Sequence, residues 1–178
     1  MKRLVLSLLL LFGFAPGTPA AELQPVAEVD LQRYAGLWYE IASIPMLFQS
    51  PQCTGTTATY TLNTDGSLKV WNQCFLPAQN RLERIEGRAV VAASSAQLKV
   101  SFFGPFAGDY WILDLDSAYS YAVVGHPSRN YLWILSRTPS MDPGQYQAIL
   151  ARIAAQGYDL SRIKRTRTLA EALRYPQR

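Results

Sequence analysis

From Gly36 to Arg137 apolar and polar residues run in stretches of about seven to ten, with turn-forming residues between them. In Leu98-Lys99-Val100-Ser101-Phe102 every second residue is apolar, and Leu68-Lys69-Val70 repeats the pattern. A period of two sets one side of a strand against a core and the other in water. The pattern predicts eight strands, at residues 36–44, 54–62, 67–75, 82–92, 96–103, 109–116, 119–125 and 130–137. Asn63-Thr64-Asp65-Gly66, Pro77-Ala78-Gln79-Asn80, Gly104-Pro105 and His126-Pro127-Ser128-Arg129-Asn130 punctuate them. Pro45 to Gln52 reads as a long irregular connection between the first two strands.

The later strands break the alternation. Tyr119 to Val124 and Tyr131 to Leu135 are apolar or aromatic on both faces, so both faces need cover. A cover follows in the chain. Asp142-Pro143-Gly144-Gln145 has an N-cap residue, proline at the first helical position and a capping-box glutamine. Tyr146, Ile149, Leu150, Ile153 and Ala154 then recur at helical spacing, and Gly157 ends the segment. A short ninth strand is expected near Arg162 to Arg167. Eight meandering strands and one helix fit an all-β, antiparallel up-and-down barrel with the helix packed outside. A two-layer sandwich is the alternative.

Composition changes the picture at the N-terminus. Met1-Lys2-Arg3, an apolar run from Leu4 to Phe14 and small residues around Thr18-Pro19-Ala20 describe a secretory signal, cleaved near Ala20. The run is shorter than the ~20 residues a membrane span needs. No cysteine stands at the junction, so a lipid anchor is not expected, and the periplasm is the expected compartment. The mature chain, residues 21–178, is then a single domain. Losing Lys2 and Arg3 takes the net charge from +4 to +2. The remaining excess gathers in Arg162, Lys164, Arg165, Arg167, Arg174 and Arg178, which reads as a solvated basic tail and not as a nucleic-acid surface. Cys53 and Cys74 are the only cysteines, and export favours a disulfide between them. A two-residue turn at Asp65-Gly66 would set Cys74 opposite Thr57, so the bridge requires a bulge or a folded-back loop. Closing that ~20-residue loop is worth about 3 kcal/mol in the chain-entropy model.

Asp30-Leu31-Gln32-Arg33-Tyr34-Ala35-Gly36-Leu37-Trp38-Tyr39 resembles the opening signature of the lipocalins, Gly-x-Trp after a short helical turn. Tyr131-Leu132-Trp133-Ile134-Leu135-Ser136-Arg137 is similar to the motif that ends their eighth strand with arginine. Leu98 to Phe106 and Leu135 to Pro139 resemble the bacterial branch. Gly125-His126-Pro127 stands where many lipocalins carry Thr-Asp-Tyr, a departure that weakens the resemblance to the animal branch and leaves that to the bacterial branch intact. The resemblance implies a structural role for three residues. Gly36 turns the chain into the first strand, Trp38 plugs the closed end, and Arg137 lies over the indole.

Alternation and the resemblance together nominate Tyr60, Val70, Leu98, Val100, Phe102, Tyr110, Ile112, Tyr121 and Trp133 as the lining of a ligand cavity. Simple core packing is the competing explanation for each. The ligand implied is a lipid or similar amphiphile, such as a fatty acid or lysophospholipid, carried non-covalently for envelope lipid transport. Whether the carrier is free or peripherally associated with a membrane is left open. No cofactor and no metal is expected, with two thiols and one histidine, His126. Gly-x-Ser-x-Gly, His-Glu-x-x-His and phosphate-loop motifs are absent, so no enzyme is indicated. A ligandless interaction barrel and a lipocalin-type enzyme are the other readings.

Overall fold

The structure is a computed structural model that describes residues 22–46 and 50–174. The predicted signal, residues 47–49 of the irregular connection and Arg178 lie outside the described residues. Eight strands wind in chain order: β1 (Gly36–Ser43), β2 (Thr54–Leu62), β3 (Leu68–Leu76), β4 (Arg81–Ser94), β5 (Gln97–Phe103), β6 (Phe106–Leu115), β7 (Tyr121–Gly125) and β8 (Leu132–Ser136). Each pairs antiparallel with the next. β1 pairs with both β8 and β2, which closes the barrel and excludes the sandwich.

Three strand starts move by two or more residues, those of β6, β7 and β8, the last beginning at Leu132 and not at 130. β6 starts at Phe106, three residues before its predicted start, because Gly104 (φ +53°) turns the chain at once into a Phe103–Phe106 pair. β7 starts at Tyr121, two residues late. The Asp116 carboxylate accepts from Ala118 N, Ser120 N and Ser120 Oγ, holding 116–120 as a turn with Tyr119 at φ +61°.

The β2–β3 connection is also longer than two residues. Leu62 faces Leu68, so Asn63 to Ser67 form the loop, and Asp65 accepts from the Ser67 amide and hydroxyl. Thr57 therefore faces Gln73, and Cys74 faces Glu83 of β4. A register shift between Thr54 and Thr57 supplies the required bulge, and Cys53 and Cys74 are bonded with Cα atoms 5.3 Å apart. The bridge ties the start of β2 to the end of β3.

Helix α1 (Leu31–Tyr34) precedes β1. The Asp30 carboxylate caps it by accepting from Gln32 N and Arg33 N. Helix α2 (Pro143–Ala155) is capped by Asp142, which accepts from Gln145 N at 2.9 Å. Its Tyr146, Ile149 and Ile153 bury against the outer faces of β1, β7 and β8, where Ile41, Val123, Leu132 and Ile134 wait. These outer residues are why β7 and β8 are apolar on both sides.

The basic C-terminus is more structured than a solvated tail. Strand β9 (Lys164–Arg165), two residues where about six were expected, pairs with Ala42 and Ser43 of β1. Helix α3 (Leu169–Arg174), which no pattern announced, rests on β2. A Cβ on Gly55 would lie 3.1 Å from Leu169 Cβ. The Arg165 guanidinium sits 4.5 Å from the centroid of Tyr146.

Candidate functional site

The barrel has a closed end and an open end. Gly36, with φ at +98°, turns the chain into β1 at the closed end. A Cβ there would also come within 3.2 Å of the Arg137 Nη1, so glycine leaves room for the guanidinium as well. Trp38 is fully buried, and its Nε1 donates to the Tyr34 carbonyl at 2.8 Å. Arg137 Cζ lies 3.7 Å from the indole centroid. Its N–H groups donate to the carbonyls of Arg33, Tyr34, Ala35 and Leu37 at 2.7–3.1 Å, main-chain oxygens gathered where α1 gives way to β1. Burial draws the arginine pKa down from its ordinary value, and the Tyr34 phenol opposes that fall.

Above this floor stand three tyrosines. Tyr34 rises from α1, Tyr60 points in from β2 and Tyr110 from β6. The Tyr110 hydroxyl lies 2.7 Å from that of Tyr34 and 2.8 Å from that of Tyr60. Burial pushes the Tyr60 phenol up to about 12 and those of Tyr34 and Tyr110 well above their usual range. All three therefore keep their protons at any physiological pH.

The wall divides by height. Tyr60, Val70, Leu98 and Ile112 are buried in the inner cluster. Val100, Phe102, Tyr110 and Trp133 belong to the same inner surface yet keep accessible area. Gly87 makes space for one of them: a Cβ on it would fall 2.6 Å from Phe102 Cδ1, so the ring lies where β4 has no side chain.

Tyr121 is the exception among the nine nominated residues. It faces outward, toward α2, where its hydroxyl accepts from Arg152 Nη2 at 2.9 Å beside the Arg152–Asp114 ion pair. β7 carries Ala122 and Val124 inward instead. A strand apolar on both faces gives no polar residue to mark its phase, so alternation could not choose.

Sequence reasoning also passed over Tyr34 and Gly87. Tyr34 had one available signal, its position four residues before Trp38. Gly87 had none, since the need for it comes from Phe102 on the neighbouring strand.

The open end holds the β3–β4, β5–β6 and β7–β8 connections. His126 sits there. Its Nδ1 accepts from the Ser128 amide at 3.1 Å and lies 2.8 Å from the Ser128 hydroxyl, contacts that fix its own turn. Among the described residues one group has metal-ligand proximity, Cys53, Cys74 and Glu83, and both sulfurs are committed to the disulfide.

A barrel plugged by Gly-x-Trp and a strand-8 arginine, with an apolar inner wall, defines a lipocalin. The lipocalin-like domain model matches residues 29–168, and the chain belongs to that family, whose barrels bind small hydrophobic molecules. It is 42% identical over 147 residues to the outer membrane lipoprotein Blc of Escherichia coli, covering 82% of each chain. It is 40% identical over 159 residues to temperature-induced lipocalin-1 of Arabidopsis thaliana, covering 84% of each. Among solved structures, insecticyanin of the tobacco hornworm Manduca sexta shares the fold with a TM-score of 0.66 at 22% identity. That match covers 85% of this chain and 87% of the insecticyanin chain.

Proposed function

We propose that this lipocalin binds and carries a long-chain amphiphile, a fatty acid or lysophospholipid, non-covalently within the barrel. The observation that carries the reading is the division of the inner wall. Buried side chains fill the closed end, while Val100, Phe102, Tyr110 and Trp133, nearer the open end of their strands, pack against that cluster and are only partly buried. Such a wall suits a hydrocarbon tail, and tyrosine and tryptophan suit the boundary between tail and head group. Removal of residues 1–20 on export, residence in the periplasm and a role in envelope lipid transport complete the proposal. They are supported by the basic-apolar N-terminus, the disulfide and the likeness to the outer membrane lipoproteins. The protein acts as a carrier and not as an enzyme, in keeping with a lone histidine bound into its own turn. Native mass spectrometry of the purified protein is expected to show a co-purified lipid. A bare mass, together with no displacement of a fluorescent fatty acid, would instead mark a ligandless barrel.

Peripheral association with a membrane is supported by the tip of the β5–β6 hairpin. Phe103 and Phe106 flank Gly104-Pro105 at the open end and are 68% and 79% exposed, and Leu82, at the start of β4, is 60% exposed. Rings standing out beside the mouth would dip into the acyl-chain boundary while the tail transfers. Replacing both phenylalanines with aspartate is expected to cut retention on phospholipid vesicles by about tenfold or more. The thermal midpoint should hold, because neither ring packs in the core. Undiminished retention would place the contact elsewhere.

A further inference from the structure

Three tyrosine hydroxyls carry three hydrogens, and the two contacts among them use two. Tyr34, Tyr110 and Tyr60 form a chain with Tyr110 in the middle, at 2.7 and 2.8 Å. These hydroxyls form no other hydrogen bond among the described residues. Whichever way the two bonds run, one O–H is left without an acceptor. Burial raises all three phenols, so none relieves the surplus by ionising.

The three hydroxyls are not equally placed to hold the spare hydrogen. Tyr34 is 0% and Tyr60 is 4% exposed, whereas Tyr110, which lies between them in the chain of hydroxyls, is half-buried. An unmet donor costs most where nothing can reach it. The favoured arrangement has Tyr34 and Tyr60 both donating to Tyr110. Its own O–H is then the one left to donate, strengthened by the two bonds it accepts.

We propose that the trio is an oxygen-recognition site in the depth of the barrel, where Tyr110 donates to an uncharged oxygen on the buried part of the ligand. The ligand class is an amphiphile whose chain bears an ester, keto or hydroxyl oxygen, in preference to a plain hydrocarbon tail. This rests on the carrier reading and adds a specificity to it. A carboxylate is the poorer fit, since a buried anion calls for a cation or several donors. The nearby guanidinium, Arg137, already directs its N–H groups to the main-chain oxygens of Arg33, Tyr34, Ala35 and Leu37.

The test compares hexadecanoate with a set of oxohexadecanoates that move one keto group along the chain, by displacement of a fluorescent fatty acid. For the unaltered protein, one or two positional isomers are expected to bind about tenfold tighter than the others, the gain of one satisfied hydrogen bond. Tyr110→Phe is expected to level the isomers, each affinity being read as a ratio to that of hexadecanoate for the same variant, whatever its absolute affinity. Tyr60→Phe should preserve the preference, because two hydroxyls sharing one bond still leave one hydrogen over. A flat response from the unaltered protein, with hexadecanoate bound, overturns the proposal and leaves the carrier standing. A preference that survives Tyr110→Phe overturns it too. If neither hexadecanoate nor any isomer binds, the carrier reading itself falls and takes the proposal with it.

Discussion

Trp38→Ala is expected to lower stability by ~3–5 kcal/mol, the range for deleting a large buried aromatic. In a domain of this size that is a fall in melting temperature on the order of 10 °C. The reasons add at one place. The indole is fully buried among Val29, Tyr34, Ala58 and Leu135, and its loss leaves a void that α1 and the strands cannot collapse to fill. The Tyr34 carbonyl loses the 2.8 Å donation from Nε1, and the Arg137 guanidinium loses the ring beneath it. Trp38→Phe separates these parts. It keeps most of the apolar volume but no N–H, and a loss of about 1–2 kcal/mol is expected from it. Thermal melting of the three proteins side by side checks the order. Equal midpoints for Trp38→Ala and the unaltered chain would mean that the floor is held by something other than the indole.

Shortening the ligand should have a larger effect than any single substitution. Each buried methylene is worth ~0.8 kcal/mol, so a sixteen-carbon tail gains up to about 12 kcal/mol before costs. Association takes back on the order of 4–15 kcal/mol, which leaves micromolar or somewhat tighter binding. An eight-carbon acid gives up to about 6 kcal/mol less, more than four decades in Kd. Octanoate is thus expected to show no measurable binding where hexadecanoate saturates, in calorimetry or probe displacement. Comparable affinities for the two would mean that the head group and not the chain is held, and the apolar wall would need another explanation.

The strands, the outer helix and the plug were legible because each rests on local chemistry. Alternation along β3 and β5, the Asp142-Pro143 cap and the Gly36-x-Trp38 pair each state their environment within a few residues. What escaped depends on residues far apart in the chain. Tyr121 was misplaced because its face is decided by Asp114 and by Arg152 of α2, thirty-one residues away. Bulges hide in the same way. The register shift between Ile112 and Asp114 keeps Ile112 inward and leaves Leu113 and Asp114 facing the helix, and a strict period of two cannot show this. The tyrosine trio joins α1, β2 and β6, so no window of sequence contains it. α3 was missed for another reason: six residues carry too few turns for a periodic signal.

The two-residue β9 has a bearing on how the molecule is made. Ala42 and Ser43 belong to the first strand and pair on one edge with Ile134 and Trp133, yet their other edge takes its partners from Lys164 and Arg165, which are synthesised about 120 residues later. Until that stretch emerges, this edge of the upper rim of β1 offers bare amides and carbonyls to any passing strand. A nascent chain still held at its carboxyl end is open to mispairing there, and a version cut short after Gly157 would carry the same raw seam for its whole life.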